Sequence, residues 1–418
     1  MRSLFFLPIR MRIANAGGDC GCGEQVNVKR NVVFKENLVR PSLSRIVPFL
    51  FLFLALTSRS GWVVADLGIA HVAPLTGPVA IEAKEYNLGI RLAIAAANAS
   101  GGVNGQKLSL KTEDDEYTPE KTVAALNRVG ASEVLAVLLP IGSPSMSRVL
   151  DDRILEQNRL PMVGVIPGAE LFRAKTNPYL YHVRAGDHEQ YRKLVEHALT
   201  LGLKRIAVVY ADIPFGRDGL AAVDSFLRER QQPLVLEKSI PVKGAIDFSN
   251  VLGGLEKVSP DVVIVITPAK LAGEFVQAYR GRGLPGTIAM PSYGNAPSIC
   301  QIAGDANARG VVLAQVFPNI RNTSLPIVRQ YQDALRLHGE KEQKASLFQL
   351  EAFIATRVLI EGIRRAGSDV TREKLIAALN AMSKFDLGSF VVSFSGARHT
   401  GSNFVEISMI GRDCQLVY

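Results

Sequence analysis

Two short clusters are the first places in this 418-residue chain where metal or acid–base chemistry would be sought. His188-Glu189-Gln190-Tyr191-Arg192 begins as a zinc-protease helix begins, but the second histidine of that motif is absent. Asp114-Asp115-Glu116 offers carboxylates to a metal ion, although a solvated acidic strand end is the alternative that we favour. The six histidines are scattered. The sequence therefore predicts no metal site and no cofactor.

Motifs for phosphate binding and nucleophilic catalysis are also missing. The chain has no Walker loop and no serine in a Gly-x-Ser-x-Gly elbow. The stretch 101–105, Gly-Gly-Val-Asn-Gly, lacks the dinucleotide-binding spacing and follows a predicted helix rather than a strand. No base–nucleophile pair is evident, so we expect a protein that is not an enzyme. An exported α/β enzyme remains a minor alternative.

Loops of small and hydroxyl-bearing residues follow several predicted strands. In an open α/β sheet, ligands bind outside the carboxyl ends of the strands, and helix N-termini there donate hydrogen bonds to anions. Such loops favour holding a ligand over transforming it. They are Thr76-Gly77-Pro78, Gly142-Ser143-Pro144-Ser145, Gly168-Ala169-Glu170, Phe215-Gly216 and Ser292-Tyr293-Gly294.

These loops are positioned by alternating strands and helices. Val262–Ile266 is apolar at every residue, which is typical of a parallel strand covered on both faces. Two successive βαβ series predict two doubly wound α/β sheets. The strands are predicted at 67–72, 108–111, 134–139, 160–165, 205–210, 234–240, 262–266, 287–290, 311–315, 390–394 and 404–410. The helices are predicted at 87–99, 119–129, 146–157, 189–201, 218–230, 248–257, 271–280, 327–337, 347–366 and 372–382.

The charge of the chain is unevenly distributed. The formal net charge is +9, but residues 1–65 contain nine basic and three acidic residues, which leaves +3 for residues 66–418. Because positive and negative charges nearly balance in residues 66–418, nucleic acid is disfavoured as a partner. The 47% hydrophobic and 21% charged composition is that of a globular protein.

An export signal is predicted within the leader, residues 1–65. Arg40 and Arg45 precede the apolar run 46–56, and Val63 and Ala65 provide small residues for cleavage before Asp66. Eleven apolar residues are too few for a membrane span, which takes about 20. A membrane anchor or a buried helix is the alternative. The signal begins about 40 residues into the chain, so we expect translation to start near Leu38 or Val39.

Four cysteines are present. Cys20 and Cys22 lie in the leader without partner ligands. Cys300 and Cys414 remain after cleavage, and an oxidising compartment permits a disulfide between them. Two separate buried thiols are equally compatible with the sequence.

A succession of motifs across residues 66–418 resembles the Leu/Ile/Val-binding-protein family, the type I periplasmic solute receptors of ABC importers. The match covers nearly all of the mature chain in the same order, so it is more specific than any one motif. The motifs are Ala73-Pro74-Leu75-Thr76-Gly77-Pro78, Asn98–Gly102, Asn104-Gly105-Gln106-Lys107, Asp114-Asp115, Pro119, Gly142-Ser143-Pro144-Ser145, Leu160-Pro161, Gly168–Arg173, Val183-Arg184-Ala185, Gly202–Ala207, Phe215-Gly216, Gln315–Pro318 and Gly388–Phe394.

The resemblance implies an α/β fold of two doubly wound lobes that close on a ligand like a Venus flytrap, with a hinge that the chain crosses three times. Lobe 1 then comprises residues 66–184 and 316–386, and lobe 2 comprises residues 185–315 and 387–418. A periplasmic, monomeric protein is expected, whose partners are a small-molecule ligand and the membrane permease of an ABC importer.

The resemblance also implies the ligand contacts. The hydroxyl that holds a ligand carboxylate at a helix N-terminus corresponds to Ser143, with Ser145 nearby; an N-cap role for Ser143 is the alternative. Ala169 and Glu170 are expected to face the cleft, unless Glu170 points outward toward Arg173. The remaining predicted positions are Phe215, with a core role as its alternative, Ser292 and Tyr293, and Glu82.

Four of these positions depart from the family pattern, and the sharpest departure is Glu170, where relatives often have threonine. Neither Ser292 nor Tyr293 is the acid expected opposite a ligand ammonium, and Glu82 replaces an aromatic residue of some relatives. Glu170 is then the first candidate for the missing counter-charge and Glu82 the second. The expected ligand is an amino acid or another small carboxylate, including aromatic acids. A sensory ligand-binding protein of the same fold, acting on a regulator or receptor, is the alternative function.

Overall fold

A computed structural model describes residues 66–418, which belong to one compact unit. The predicted signal sequence, its cleavage site after Ala65 and the cysteines of the leader lie outside the described residues. No helix among residues 66–418 is long and apolar enough to cross a membrane. The strands are β1 Leu67–Ala73, β2 Leu108–Asp114, β3 Val134–Leu138, β4 Met162–Val163, β5 Leu180–Tyr181, β6 Ile206–Ala211, β7 Leu234–Ile240, β8 Val262–Ile266, β9 Thr287–Met290, β10 Val312–Gln315, β11 Phe385–Asp386, β12 Val391–Val392, β13 Glu406–Ile410 and β14 Leu416–Val417. The helices are α1 Ala80–Ala99, α2 Pro119–Gly130, α3 Ser143–Asp151, α4 Ile154–Asn158, α5 Asp187–Thr200, α6 Pro214–Glu229, α7 Ser249–Val258, α8 Ala269–Gly281, α9 Ala296–Ala303, α10 Asp305–Ala308, α11 Pro326–His338, α12 Leu347–Ala366 and α13 Arg372–Asn380.

The first lobe is built on a parallel sheet with the strand order β2-β1-β3-β4-β5. One face is covered by α1, α11, α12 and α13, whose apolar residues share a core with the strands. The opposite face is covered by α2, α3 and α4. The sheet is therefore doubly wound, as the sequence predicted.

The second lobe is built on a sheet with the order β14-β13-β10-β9-β8-β6-β7, parallel from β10 to β7 and antiparallel at β13 and β14. Along β8, Val263 and Val265 join the core beneath α7 to α10, whereas the alternate residues join the core beneath α5 and α6. All five residues of β8 are buried. This arrangement confirms the prediction that the apolar run Val262–Ile266 is a parallel strand covered on both faces.

The chain passes between the two sheets three times. It leaves the first sheet after β5, returns to it after β10 with α11, and reaches the second sheet again at β13. The boundaries 66–184 with 316–386, and 185–315 with 387–418, stay predictions. Phe390, Val392 and Phe394 pack in the core of the first lobe, which favours a third crossing after residue 394 rather than at 386.

Two predicted helices differ most from the observed ones. α1 starts at Ala80, seven residues before the predicted start, and this places Glu82 in its first turn. The helix predicted over 146–157 is two helices, because Arg153 adopts a left-handed backbone conformation with φ of 54° between α3 and α4. An arginine imposes no such conformation locally, so the sequence carried no sign of the break.

Cys300 and Cys414 form a disulfide that joins α9 to the C-terminal segment, with their Cα atoms 6.2 Å apart. Asp305 lies beside Cys414 and accepts a hydrogen bond from its backbone amide at 3.0 Å. Of the two alternatives that the sequence left open, the structure has the disulfide.

Candidate functional site

A cavity lies between the carboxyl ends of the two sheets. It encloses about 530 Å³ of empty space, part of which opens to solvent. Its walls are mostly apolar and aromatic, a character shared by sites for small organic ligands. The lining residues are Val79, Glu82, Tyr86, Tyr117, Ile141, Gly142, Ser143, Ile166, Pro167, Ile213, Phe215, Pro268, Tyr293 and Phe348.

Four helices begin at this cavity, and strand order explains why. In the first sheet the order reverses between β1 and β3, and in the second between β6 and β8. Ligands of doubly wound sheets bind at such reversals. The residues that precede α1, α3, α6 and α8 come from the loops after these four strands, and all four line the cavity: Val79, Gly142, Ile213 and Pro268.

Four of the eight residues predicted to contact a ligand line the cavity, namely Glu82, Ser143, Phe215 and Tyr293. The other four do not. Ser145 is buried in a hydrogen-bond cluster with Thr122, whose hydroxyl also donates to Asp115. Ala169 is buried in the core beneath α2 to α4, and Ser292 accepts a hydrogen bond from the Arg184 guanidinium. Glu170 is half-buried, and its amide donates to Asp218 of the other lobe at 3.2 Å. Ligand contacts by these four residues stay predictions.

Ser143 is the first residue of α3 and is buried. Its hydroxyl does not cap its own helix, because Gly142 is the N-cap residue and no side-chain cap is formed there. Instead, Oγ accepts a hydrogen bond from the Phe215 amide, in the first turn of α6, at 3.2 Å. The hydroxyl proton has no acceptor among residues 66–418 and remains free to donate to a ligand.

Glu82 forms a second contact between the lobes. Its Oε1 accepts a hydrogen bond at 2.9 Å from the Ala269 amide, the first residue of α8. Its Oε2 is buried without a hydrogen-bond partner among the described residues. Burial raises the pKa of Glu82 above its ordinary value, although its own amide and that of Ala269 oppose the shift.

Tyr293 forms the side of the cavity nearest the hinge. Its ring packs edge-on against Phe215 with centroids 4.7 Å apart, and the Arg184 guanidinium lies 4.4 Å from its centroid. Its hydroxyl lies 2.9 Å from a carboxylate oxygen of Asp187 and accepts from the Gly168 amide at 3.0 Å. Burial raises the pKa of Asp187 to about 6, while Arg184 counteracts the shift.

Sequence reasoning missed the aromatic wall formed by Tyr86, Tyr117 and Phe348. Tyr117 enters the cavity because its backbone is left-handed, with φ of 58°, and its amide donates to the Asp115 carboxylate at 3.0 Å. A β-carbon on Gly142 would lie 2.8 Å from the Tyr117 ring. The aspartate two residues before Tyr117 is the one local signal of this turn.

A buried ion pair behind the cavity was also missed. Arg184 and Glu351 are almost fully buried, with their nearest charged atoms 3.2 Å apart, and the Tyr86 hydroxyl donates to Glu351 at 3.2 Å. Burial lowers the pKa of Arg184, but the Glu351 carboxylate outweighs it and holds that pKa above its ordinary range. The partners are 167 residues apart, so no local pattern reveals the pair.

The same two-sheet arrangement occurs in a known group of proteins. The sequence profile of the periplasmic binding protein family matches residues 66–412. The chain belongs to this family. The two lobes are those of type I periplasmic binding proteins of the branched-chain amino-acid type, as the sequence predicted.

Individual periplasmic binding proteins are similar over most of the chain. "Leu/Ile/Val-binding protein homolog 3" of Brucella melitensis is 24% identical over 307 residues, which are 73% of this chain and 80% of that protein. The leucine-specific-binding protein of Salmonella typhimurium is 29% identical over 265 residues, 62% of this chain and 70% of that protein. An extracellular ligand-binding receptor from Verminephrobacter eiseniae is 31% identical with a TM-score of 0.78, and the alignment covers 85% of this chain and 100% of that one.

Proposed function

We propose that this protein captures a small carboxylate-bearing ligand, an amino acid or a related acid, between its two lobes and delivers it to an ABC importer. The observation that carries the proposal is the Ser143 hydroxyl, which lines a mostly apolar cavity and donates to no acceptor among residues 66–418. The relatives support the role, because they are named for binding leucine, isoleucine and valine.

The polar groups of the cavity complement both ends of an amino acid. The Ser143 hydroxyl accepts from Phe215 and keeps its proton for a ligand carboxylate, a charge-assisted hydrogen bond. Glu82 keeps one oxygen without a donor, and a ligand ammonium supplies donors. The aromatic and aliphatic walls accommodate an apolar side chain. Glu82 therefore replaces Glu170 as the first candidate for the counter-charge.

The cellular setting follows from the same role. An exported protein that is cleaved near Ala65 would meet its permease at the outer face of the inner membrane. We propose a periplasmic monomer that is not an enzyme, with no cofactor, no metal and no nucleic-acid partner.

The test is a ligand screen on the chain that begins at Asp66. Melting temperatures are recorded with amino acids, aromatic acids and other small acids, and with the amide of each acid as a size-matched control in which an uncharged carboxamide replaces the carboxylate. A ligand that binds only the folded state at 100 times its Kd adds about 2.7 kcal/mol of stability. We expect a rise with at least one acid and none with its amide. Equal responses to acid and amide, or no response to any acid, would contradict the proposal.

A further inference from the structure

Two helices of the second lobe are capped from the first lobe. The N-cap residues of α6 and α8 are Ile213 and Pro268, whose side chains have no hydrogen-bonding group, and neither helix has a side-chain cap of its own. The missing acceptors are supplied across the cleft by Ser143 for α6 and by Glu82 for α8. The closed arrangement of the lobes therefore completes the two helix ends.

At the N-terminus of α8, the Glu82 side chain occupies an anion-binding site. Backbone amides and the helix dipole favour a negative group at the N-terminus of this 13-residue helix. Glu82 places a carboxylate oxygen there, 2.9 Å from the Ala269 nitrogen, although only 6% of the residue is exposed. Its second oxygen is buried without a partner. A buried carboxylate oxygen normally has a hydrogen-bond donor, and Glu82 lines the cavity, so a ligand group there can supply that donor.

The rest of the cavity supplies no counter-charge for a further acid. None of the described residues that line it is lysine, arginine or histidine, and Glu82 is its one carboxylate. A ligand carboxylate beside Glu82 would place two like charges in an apolar enclosure, which is costly. A carboxylate at Ser143 avoids this position and has a hydrogen-bond donor.

We propose that Glu82 is a built-in carboxylate that fills the anion site of α8 and thereby determines the charge of the ligand. The cavity accepts one carboxylate, at α3, and a hydrogen-bond donor such as an ammonium group beside Glu82. It excludes dicarboxylates. The ligand preference rests on the proposed function, whereas the anion site at α8 does not.

The first experiment removes the Glu82 carboxylate from the N-terminus of α8. Glu82→Ala, in the chain that begins at Asp66, is melted with increasing sodium acetate and, in parallel, with sodium chloride at equal ionic strength. We expect a lower melting temperature in chloride and a saturable rise with acetate, because acetate supplies the missing carboxylate. Glu120→Ala is the matched control, since Glu120 also lies in the first turn of a helix but is exposed. Because the proposed site at Ser143 also admits a carboxylate, wild type and the control set the baseline response to acetate, and a rise for Glu82→Ala no larger than theirs would overturn the proposal.

The second experiment keeps the site filled and removes the charge. Glu82→Gln retains an oxygen for the Ala269 amide, so it tests the proposal even if Glu82→Ala does not fold. We expect no acetate rescue, and a larger melting-temperature rise with succinate or glutarate than wild type shows. A response to these dicarboxylates no larger than that of wild type would overturn the specificity role. A negative amino-acid screen combined with acetate rescue would reject the proposed ligand class and leave the anion site standing.

Discussion

At the scale of single residues, Ser143 shows how one hydroxyl can serve both lobes. Its oxygen accepts from the Phe215 amide across the cleft, and its proton stays available inside the cavity. The alternative that this serine only caps its own helix is not what the structure shows, because α3 has no side-chain cap. The contact between the lobes thus uses the oxygen of this hydroxyl, and the proposed ligand contact uses its proton.

Replacing Ser143 separates these two contributions. Loss of a charge-assisted hydrogen bond costs about 1.5–3 kcal/mol, so Ser143→Ala should weaken ligand binding by about 10- to 150-fold in calorimetric titrations. Loss of the cap on α6 should lower unfolding stability by roughly 0.5–2 kcal/mol. Ser147→Ala is the control, because Ser147 lies in the same helix but outside the cavity lining, and it should bind as wild type does. A folded Ser143→Ala protein whose affinity changes less than twofold would mean that Ser143 acts only as a cap.

At the scale of helices and strands, the sequence predicted most of what positions the cavity. The bounds of β7, β8, β9 and α12 agree with the predicted ranges. β8 is apolar at every residue and α12 is a long helix, so both are marked clearly in the sequence. The loops after β1, β3 and β6 were also recognised, since small and hydroxyl residues there form a local pattern. Local patterns were sufficient for these elements.

The contacts that close the cavity were not predictable in this way. Glu82 and Ala269 are 187 residues apart, and Ser143 and Phe215 are 72 residues apart. Which side chain reaches which helix end depends on how the lobes pack, and packing among apolar surfaces has no signature in a short segment. The short strand β5 and the helix α9 were missed for a related reason, because each is held by neighbours rather than by its own periodicity.

The crossing of α1 and α12 provides a test at this scale. Gly89 lies where the two helices touch, and a β-carbon there would be 2.3 Å from the Gln349 carbonyl oxygen and 2.7 Å from the Ala352 β-carbon. The Gln349 backbone cannot easily move away from an added β-carbon. Gly89→Ala should therefore destabilise the protein by about 1–3 kcal/mol in urea unfolding. Gly253→Ala is the matched control inside α7, where a β-carbon meets nothing within 4 Å. That variant should gain about 0.5–1 kcal/mol, and effects of the same sign at both sites would refute the close approach.

At the scale of the whole molecule, Arg184 is a buried charge that contacts both lobes. Arg184 lies where the chain first leaves the first lobe, and its guanidinium contacts Glu351 of α12 and the Ser292 hydroxyl beyond β9. It also lies over the ring of Tyr293, which lines the cavity. The hinge and the cavity are therefore built from adjoining side chains.

Removing one partner of this ion pair should lower the free energy of unfolding far more than removing both partners. Arg184→Met leaves the Glu351 carboxylate buried without its counter-charge, and such losses cost about 3–5 kcal/mol in unfolding experiments. Arg184→Met combined with Glu351→Leu removes both charges, and we expect the double variant to be more stable than Arg184→Met alone, since a buried ion pair adds little net stability. Arg128→Met, which breaks a pair with Glu113 in which the arginine side chain is 60% exposed, should cost at most about 1 kcal/mol. If the double variant were instead as unstable as the sum of its two single variants, Arg184 and Glu351 would not be acting as a pair.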